Sequence, residues 1–363
     1  MRILSAEETA ALLAYTALAE TTAQVLADYA QGLVTAPERL RVPLPGGAAL
    51  LLMPAADPFL SVTKLVTVHP QQRPSVRAEV WVMRTATGER LALLDGTVVT
   101  ARRTAAVSLL AAQTLAPSPA GPLLIIGAGT QGRSHLEAFQ EGLGTQEVYV
   151  YSRTFEHAQA LATYARQRGM QAQAIRDLEP ILDEVSLIVC ATTSPTPVLL
   201  RAPSSAFIAA VGAYRPDMAE VAPEVVRRSR LYVDTLEGAC SEAGDLLQAG
   251  VDWDEVQALE VALHQPKPAS STVLFKSVGH ALWDLAAARL AVKSLGIQKA
   301  DEHVSDRFLH GTGPTNCPAH RPSGGARGAG GLRQPAAGRH LGLPLARRAS
   351  GKRRAATYHQ NPP

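Results

Sequence analysis

Cysteine is scarce in this chain: three in 363 residues, Cys190, Cys240 and Cys317. No two form a C-x-x-C, and the lone C-x-x-H pair, Cys317 with His320, has no second Cys/His pair at zinc spacing. That excludes a zinc ribbon or a disulfide-stapled scaffold and leads us to expect free thiols. Long apolar runs are missing too. Nothing approaches the ~18 residues of a membrane span. The start, MRILSAEETAALL, places acids where a secretory leader needs an apolar stretch. A cytoplasmic protein with no membrane partner is expected. Charged residues are 18 % and hydrophobic ones 46 %, which suits a soluble globular chain long enough for two cores. Acids are absent altogether beyond Asp306. Residues 297–363 hold eleven of the 35 Lys+Arg and three of the 32 Asp+Glu, so the net +3 conceals an acidic body.

What is present falls into textures. The 57 residues from Arg307 include ten Gly and seven Pro, with few large apolar side chains to offset ordering entropy. Residues 297–363 are therefore expected to be a disordered Arg/Gly/Pro-rich tail. Such a tail attracts polyanions. Its Ala, Gly, Pro and Arg bias is equally that of GC-rich DNA read out of frame. We favour the second reading, so no nucleic-acid partner is expected beyond the basic tail itself. Residues 5–31 predict one helix, opened by Ser5 with Glu8 as a capping box. Strands are expected at 49–53, 60–68, 76–84 and 90–94, with Thr87-Gly88 as a turn, hence an antiparallel sheet. A long helix is expected at 97–115, ended by Pro117 and Pro119. From Pro122, strands and helices alternate and the strands are continuously apolar. That pattern is the mark of a doubly wound parallel sheet, an α/β class. A last helix at 277–295 has no strand after it and is expected to return to the first domain. The domains expected are 1–118, 119–276, the returning helix 277–296, and the tail.

The chemistry-bearing motif is LLIIGAGTQG, residues 123–132. Gly127, Gly129 and Gly132 fall at G-x-G-x-x-G spacing after a strand and before a helix. Gly127 permits the tight turn, Gly129 lets backbone approach a pyrophosphate, and Gly132 lets helix and strand pack closely. The helix start, Thr130 and Gln131, offers free amides to phosphate. The second strand ends in Ser152, Arg153 and Thr154, where a carboxylate would select NAD. With no acid to repel a 2′-phosphate and Arg153 able to pair with it, NADPH is favoured, and NADH also fits. A substrate clamp has several candidates: Arg41, Lys64 within FLSVTKLVTVHP, and Arg102 or Arg103 on the long helix. Arginine grips a carboxylate with two hydrogen bonds, yet most Lys and Arg are solvated surface residues. Among histidines, His135 is expected to pack rather than react. His280 lies four residues before Asp284, a spacing that simple helix pairing explains.

Six segments in order, KLVTVHP, LLDGTVVTARRTAAVSLLAA, IIGAGTQGRSHLEAF, ATTSPTPVL, AAVGAYRPDMAEV and LFKSVGHALWDLAAA, resemble the ornithine cyclodeaminase/mu-crystallin family over roughly residues 1–295. The resemblance implies a Rossmann sheet inserted into an α+β substrate and dimerisation domain built from both chain ends. A homodimer is implied as well. It implies that Arg41, Lys64 and Arg103 hold a substrate carboxylate, with Lys64 and Arg103 as catalytic residues and Thr104 at the pocket. It further implies that Ala191, Thr192, Val211, Ser277, Val278 and Gly279 line the cofactor. Around VGAYRPDMAEV the wording is nearest the family's cyclic-imine reductases. Cyclodeaminases carry an aspartate after this turn; here Tyr214 stands there, as a substrate-side residue. The implied activity is NAD(P)H-dependent reduction of Δ1-pyrroline-2-carboxylate to L-proline or Δ1-piperideine-2-carboxylate to L-pipecolate. Ornithine cyclodeaminase, an alanine-type amino acid dehydrogenase and an NADPH-dependent small-ligand-binding protein are the other implied activities.

Overall fold

The structure is a computed structural model that describes residues 1–72, 75–268 and 271–297. The tail expected from 297 lies outside the described residues from 298 on. The first sheet holds β1 (Arg2–Ile3), β2 (Leu40–Pro43), β3 (Ala49–Ala56), β4 (Leu60–Val68), β5 (Val76–Arg84) and β6 (Arg90–Asp95). Its order is β1-β6-β5-β4-β3-β2, antiparallel except where β1 joins β6 in parallel. Along β4, Leu60, Val62, Lys64 and Val66 point to the buried face and alternate with less buried residues, the period of a half-buried strand.

The expected N-terminal helix is two helices, α1 (Ala6–Ala11) and α2 (Tyr15–Ala30). The capping box at Ser5 is present: the Ser5 hydroxyl accepts from the Glu8 amide at 3.2 Å, and Glu8 accepts from the Ser5 amide at 2.8 Å. Between the two helices the carbonyl of Leu13 accepts from Arg102 at 3.0 Å, which gives this backbone group a partner outside the helical ladder. Next comes α3 (Gly96–Leu115), capped by Asp95, whose carboxylate accepts from the Val98 amide at 2.8 Å.

The second sheet is wholly parallel. Its strands are β7 (Leu123–Ile126), β8 (Glu147–Tyr151), β9 (Gln171–Ile175), β10 (Leu187–Cys190), β11 (Phe207–Ala210), β12 (Arg230–Val233), β13 (Gln257–Ala258) and β14 (Val273–Lys276). Their order is β13-β12-β14-β11-β10-β7-β8-β9. The helices are α4 (Thr130–Leu143), α5 (Phe155–Gln167), α6 (Pro223–Arg228), α7 (Leu236–Glu242), α8 (Gly244–Ala249) and α9 (Leu259–Ala262). From β7 the chain winds outward one way through β8 and β9 and the other way through β10 and β11. The crevice at the carboxyl ends of β7 and β10 is therefore the switch point of a doubly wound sheet, where ligands bind. β1, β2, β13 and β14 were not expected, and of these β14 is inserted between β11 and β12. All four of its residues are buried, so they show no alternation for a reader to recognise.

The last helix, α10 (Ala281–Ser294), packs on α2, α3, β3 and β4. One apolar core runs from the first sheet through α3 and α4 to one face of the parallel sheet, including Ile125, Val189 and Phe275. The opposite face has its own core, including Ile126, Ile188 and Leu274. Cys190 is buried there and free, as expected, and Cys317 lies outside the described residues. Among the described residues no helix is long and apolar enough to cross a membrane.

Candidate active site

The glycine turn has the shape its spacing predicts. Gly127 has φ 109°, and a Cβ on it would lie 2.4 Å from the Ala191 carbonyl. A Cβ on Gly132 would lie 2.0 Å from the Gly127 carbonyl, so glycine is required where α4 leaves β7. Gly129, the N-cap of α4, faces open space and makes no side-chain cap. Exposed Gly129 and Thr130 and half-buried Gln131 leave the first amides of α4 available to an anion. The amide of Gly127 donates to the Tyr151 carbonyl at 2.8 Å, which fixes the end of β8 beside the turn. Ser152 is half-buried there; Arg153 and Thr154 are exposed. The residues fit a dinucleotide: a close backbone approach, free amides, and no acid at the end of β8.

Opposite, the loops after β10 and β11 are tied together by a carboxylate that sequence reading missed. Glu220 is fully buried. It accepts from the amides of Thr192 and Gly212 at 2.6 Å each and of Ala213 at 3.2 Å. Burial pushes its pKa up, an effect that the Lys276 charge opposes. Lys276 itself pairs with Asp245 at 2.9 Å. Asp234 does the same work after β14. Its Oδ2 accepts from the Ser277 hydroxyl at 2.7 Å and from the amides of Val278 and Gly279 at 3.1 and 2.8 Å. Ala191, Thr192, Val211, Ser277, Val278 and Gly279 are thus held at one edge of the parallel sheet.

Against that edge lies a buried cation cluster. A Cβ on Gly279 would meet the Arg103 guanidinium at 2.8 Å. Lys64, 1 % exposed, pairs with Asp284 at 2.9 Å, and Arg103 Nε lies 3.5 Å from the same Asp284 oxygen. Burial first, then the Arg103 charge, lowers the Lys64 pKa to about 7, with Asp284 opposing. Arg103 Nε and Nη1 are buried without a hydrogen-bond partner, an open invitation to an anion. Thr104 is buried beside it and donates to the Thr100 carbonyl at 2.8 Å.

Arg41 is not part of this cluster. It is exposed on edge strand β2 and lines an outer cleft of about 540 Å³ with Tyr214 and Asp217. Arg39 takes the inner place. It bonds to Glu242 and to the carbonyls of Val278 and Gly279 at 2.9 and 3.2 Å. It also lines a small cavity with Met53 and His280. The reason is register: Leu40 pairs with Leu52, so Arg39 stands across from Met53, the partner of Lys64. Arg39, two residues before Arg41 and just ahead of β2, carries no local mark in the sequence that sets it apart from Arg41. Tyr214 is 41 % exposed, and Asp217 pairs with Arg215 at 2.8 Å on the surface. His135 packs, bonded to the Gln131 carbonyl and Ser108, and burial lowers its pKa to about 4. His280 caps α10 instead of pairing with Asp284. Arg102 sits 4.4 Å over the Tyr15 ring, a packing contact.

A sequence profile of the ornithine cyclodeaminase/mu-crystallin family matches residues 1–296. Δ1-Pyrroline-2-carboxylate reductase 1 of Burkholderia multivorans is 40 % identical over 302 residues, 82 % of this chain and 97 % of that protein. A Δ1-pyrroline-2-carboxylate/Δ1-piperideine-2-carboxylate reductase of Azospirillum brasilense is 40 % identical over 303 residues, with the same coverage. The Δ1-pyrroline-2-carboxylate reductase of Thermococcus litoralis, solved with NADH and L-proline, matches with a TM-score of 0.76 at 26 % identity. It covers 81 % of this chain and 97 % of its own.

Proposed function

The chain belongs to the ornithine cyclodeaminase/mu-crystallin family, and on that premise we propose that it reduces cyclic ketimine carboxylates with a nicotinamide cofactor. The products are L-proline from Δ1-pyrroline-2-carboxylate and L-pipecolate from Δ1-piperideine-2-carboxylate. The observation that carries this reading is the buried Lys64–Asp284–Arg103 cluster pressed against Gly279 at the carboxyl edge of the parallel sheet.

Arg103 and Arg39 hold the substrate carboxylate, with Lys64 beside them; two guanidiniums fix the plane of a small flat acid. The cofactor, when bound, supplies hydride to the imine carbon. Gly127, Gly129, Thr130, Gln131 and Gly132 hold its pyrophosphate. Ser152, Arg153 and Thr154 take its adenosine end, and Ala191, Thr192, Val211, Ser277, Val278 and Gly279 border its nicotinamide end. Lys64 keeps a proton that it can release near neutrality and delivers it to the imine nitrogen; solvent then restores it. Tyr214, on the outer cleft, is too exposed for that task and supplies no carboxylate for deamination. Arg153 favours NADPH over NADH.

A second copy of the chain is assigned to the outer face of the first sheet. Leu52, Leu65, Trp81 and Met83 stand there partly covered, opposite the face that buries Lys64. A reaction that draws on reduced nicotinamide suits the cytoplasm.

The purified protein is assayed with each imine and NADPH or NADH, following loss of reduced-nicotinamide absorbance. Oxidation that depends on the imine is expected. No oxidation with either imine and either cofactor overturns the proposal.

A further inference from the structure

The far end of the dinucleotide site holds a second arginine that the sequence motif does not announce. β8 and β9 are parallel, with Tyr151 opposite Ile175. The next residues, Ser152-Arg153 and Arg176, therefore leave the sheet side by side at the edge where the glycine turn sits. Arg176 does not trail in solvent. Its guanidinium carbon lies over the Phe155 ring, 3.6 Å from the ring centre, at the first residue of α5. Stacking uses the guanidinium face and leaves its edge N–H groups free.

The other arginines on this side are occupied. Arg133 pairs with Glu137 at 3.1 Å, Arg166 donates to Ala172 and Thr163, and Arg168 donates to Gln140. Arg153 and Arg176 make no ion pair among the described residues. The nearby Asp177 carboxylate is engaged by the Glu179 amide at 3.2 Å, and Glu156 lies exposed in the first turn of α5. Thr154 makes no side-chain cap; the His157 amide donates to the Thr154 carbonyl at 3.1 Å, and among the described residues no side chain bonds to the Phe155 or Glu156 amide. Two unpaired guanidiniums and uncapped amides around one spot suit a dianionic phosphate monoester.

We infer that Arg176, held by Phe155, reads the 2′-phosphate of NADP(H) together with Arg153 and sets the preference over NAD(H). This rests on the reading that the glycine turn holds a nicotinamide dinucleotide. The test is calorimetric titration of the full chain with adenosine 2′,5′-bisphosphate and with 5′-AMP, comparing wild type, Arg153→Ala, Arg176→Ala and Arg176→Lys. Wild type is expected to bind the bisphosphate more tightly. Arg176→Ala should weaken the bisphosphate by about tenfold or more, with 5′-AMP changed by less than about twofold. Arg176→Lys should lie between. In turnover, Arg176→Ala should raise KM for NADPH and leave KM for NADH and both kcat values in place. Unchanged bisphosphate affinity in Arg176→Ala overturns the inference. Equal weakening of both nucleotides overturns it too, since Arg176 would then only support the loop. If wild type binds neither nucleotide, the dinucleotide reading has failed and the inference falls with it.

Discussion

Lys64 shows how burial makes a reagent of an ordinary side chain. An exposed lysine holds its proton far above neutrality; this one, desolvated and beside Arg103, titrates at about 7. The protonated ammonium is the donor, so kcat/KM should be level below about pH 7 and fall tenfold per unit above it. Asp284 holds that pKa up, so Asp284→Asn should move the falling limb to lower pH; a limb that stays in place removes Lys64 as the acid. Lys64→Met should cost ~10²-fold or more in kcat. Arg103→Ala should raise KM for the imine by ~2–3 kcal/mol worth of binding. Arg39→Ala should do likewise, whereas Arg41→Ala should leave KM within about twofold. Steady-state kinetics on the three variants decides which arginines touch the substrate.

Elements carry the geometry that residues exploit. The glycine turn and the strands Leu60–Val68 and Val76–Arg84 were legible, because alternation and glycine spacing are local signals. What stayed hidden was non-local. Asp284 looked like a helix partner of His280, yet it faces a lysine 220 residues earlier. Glu220 sits in MAEV with no mark of its role, which appears only when two loops fold over it. At the break near Leu13, the backbone carbonyl finds its partner in a guanidinium 89 residues away. Glu220→Gln keeps one acceptor where two oxygens now serve three amides, so it should destabilise by ~1–3 kcal/mol and raise KM for the cofactor. Denaturant unfolding and cofactor kinetics check both; a stable variant with normal KM denies Glu220 this part. Gly132→Ala should weaken cofactor binding by more than about tenfold, since its Cβ collides with backbone.

Taken whole, the molecule closes its site with its last described helix. The cation cluster, the glycine turn and the buried carboxylates all lie within residues 1–297, so a chain ending at Ile297 should keep kcat and KM within about twofold; a large loss would give the basic tail a part in catalysis. The order of the chain also sets an order of events on the ribosome. Lys64 and Arg103 emerge early, but their counter-ion Asp284 follows Lys64 by 220 residues, ~10–45 s of synthesis. Two cations cannot be sealed in a dry interior without it. All strands of the parallel sheet lie between and have that interval to assemble. The first sheet, though translated first, is expected to stay open until α10 arrives, so that the nascent protein would finish at its beginning.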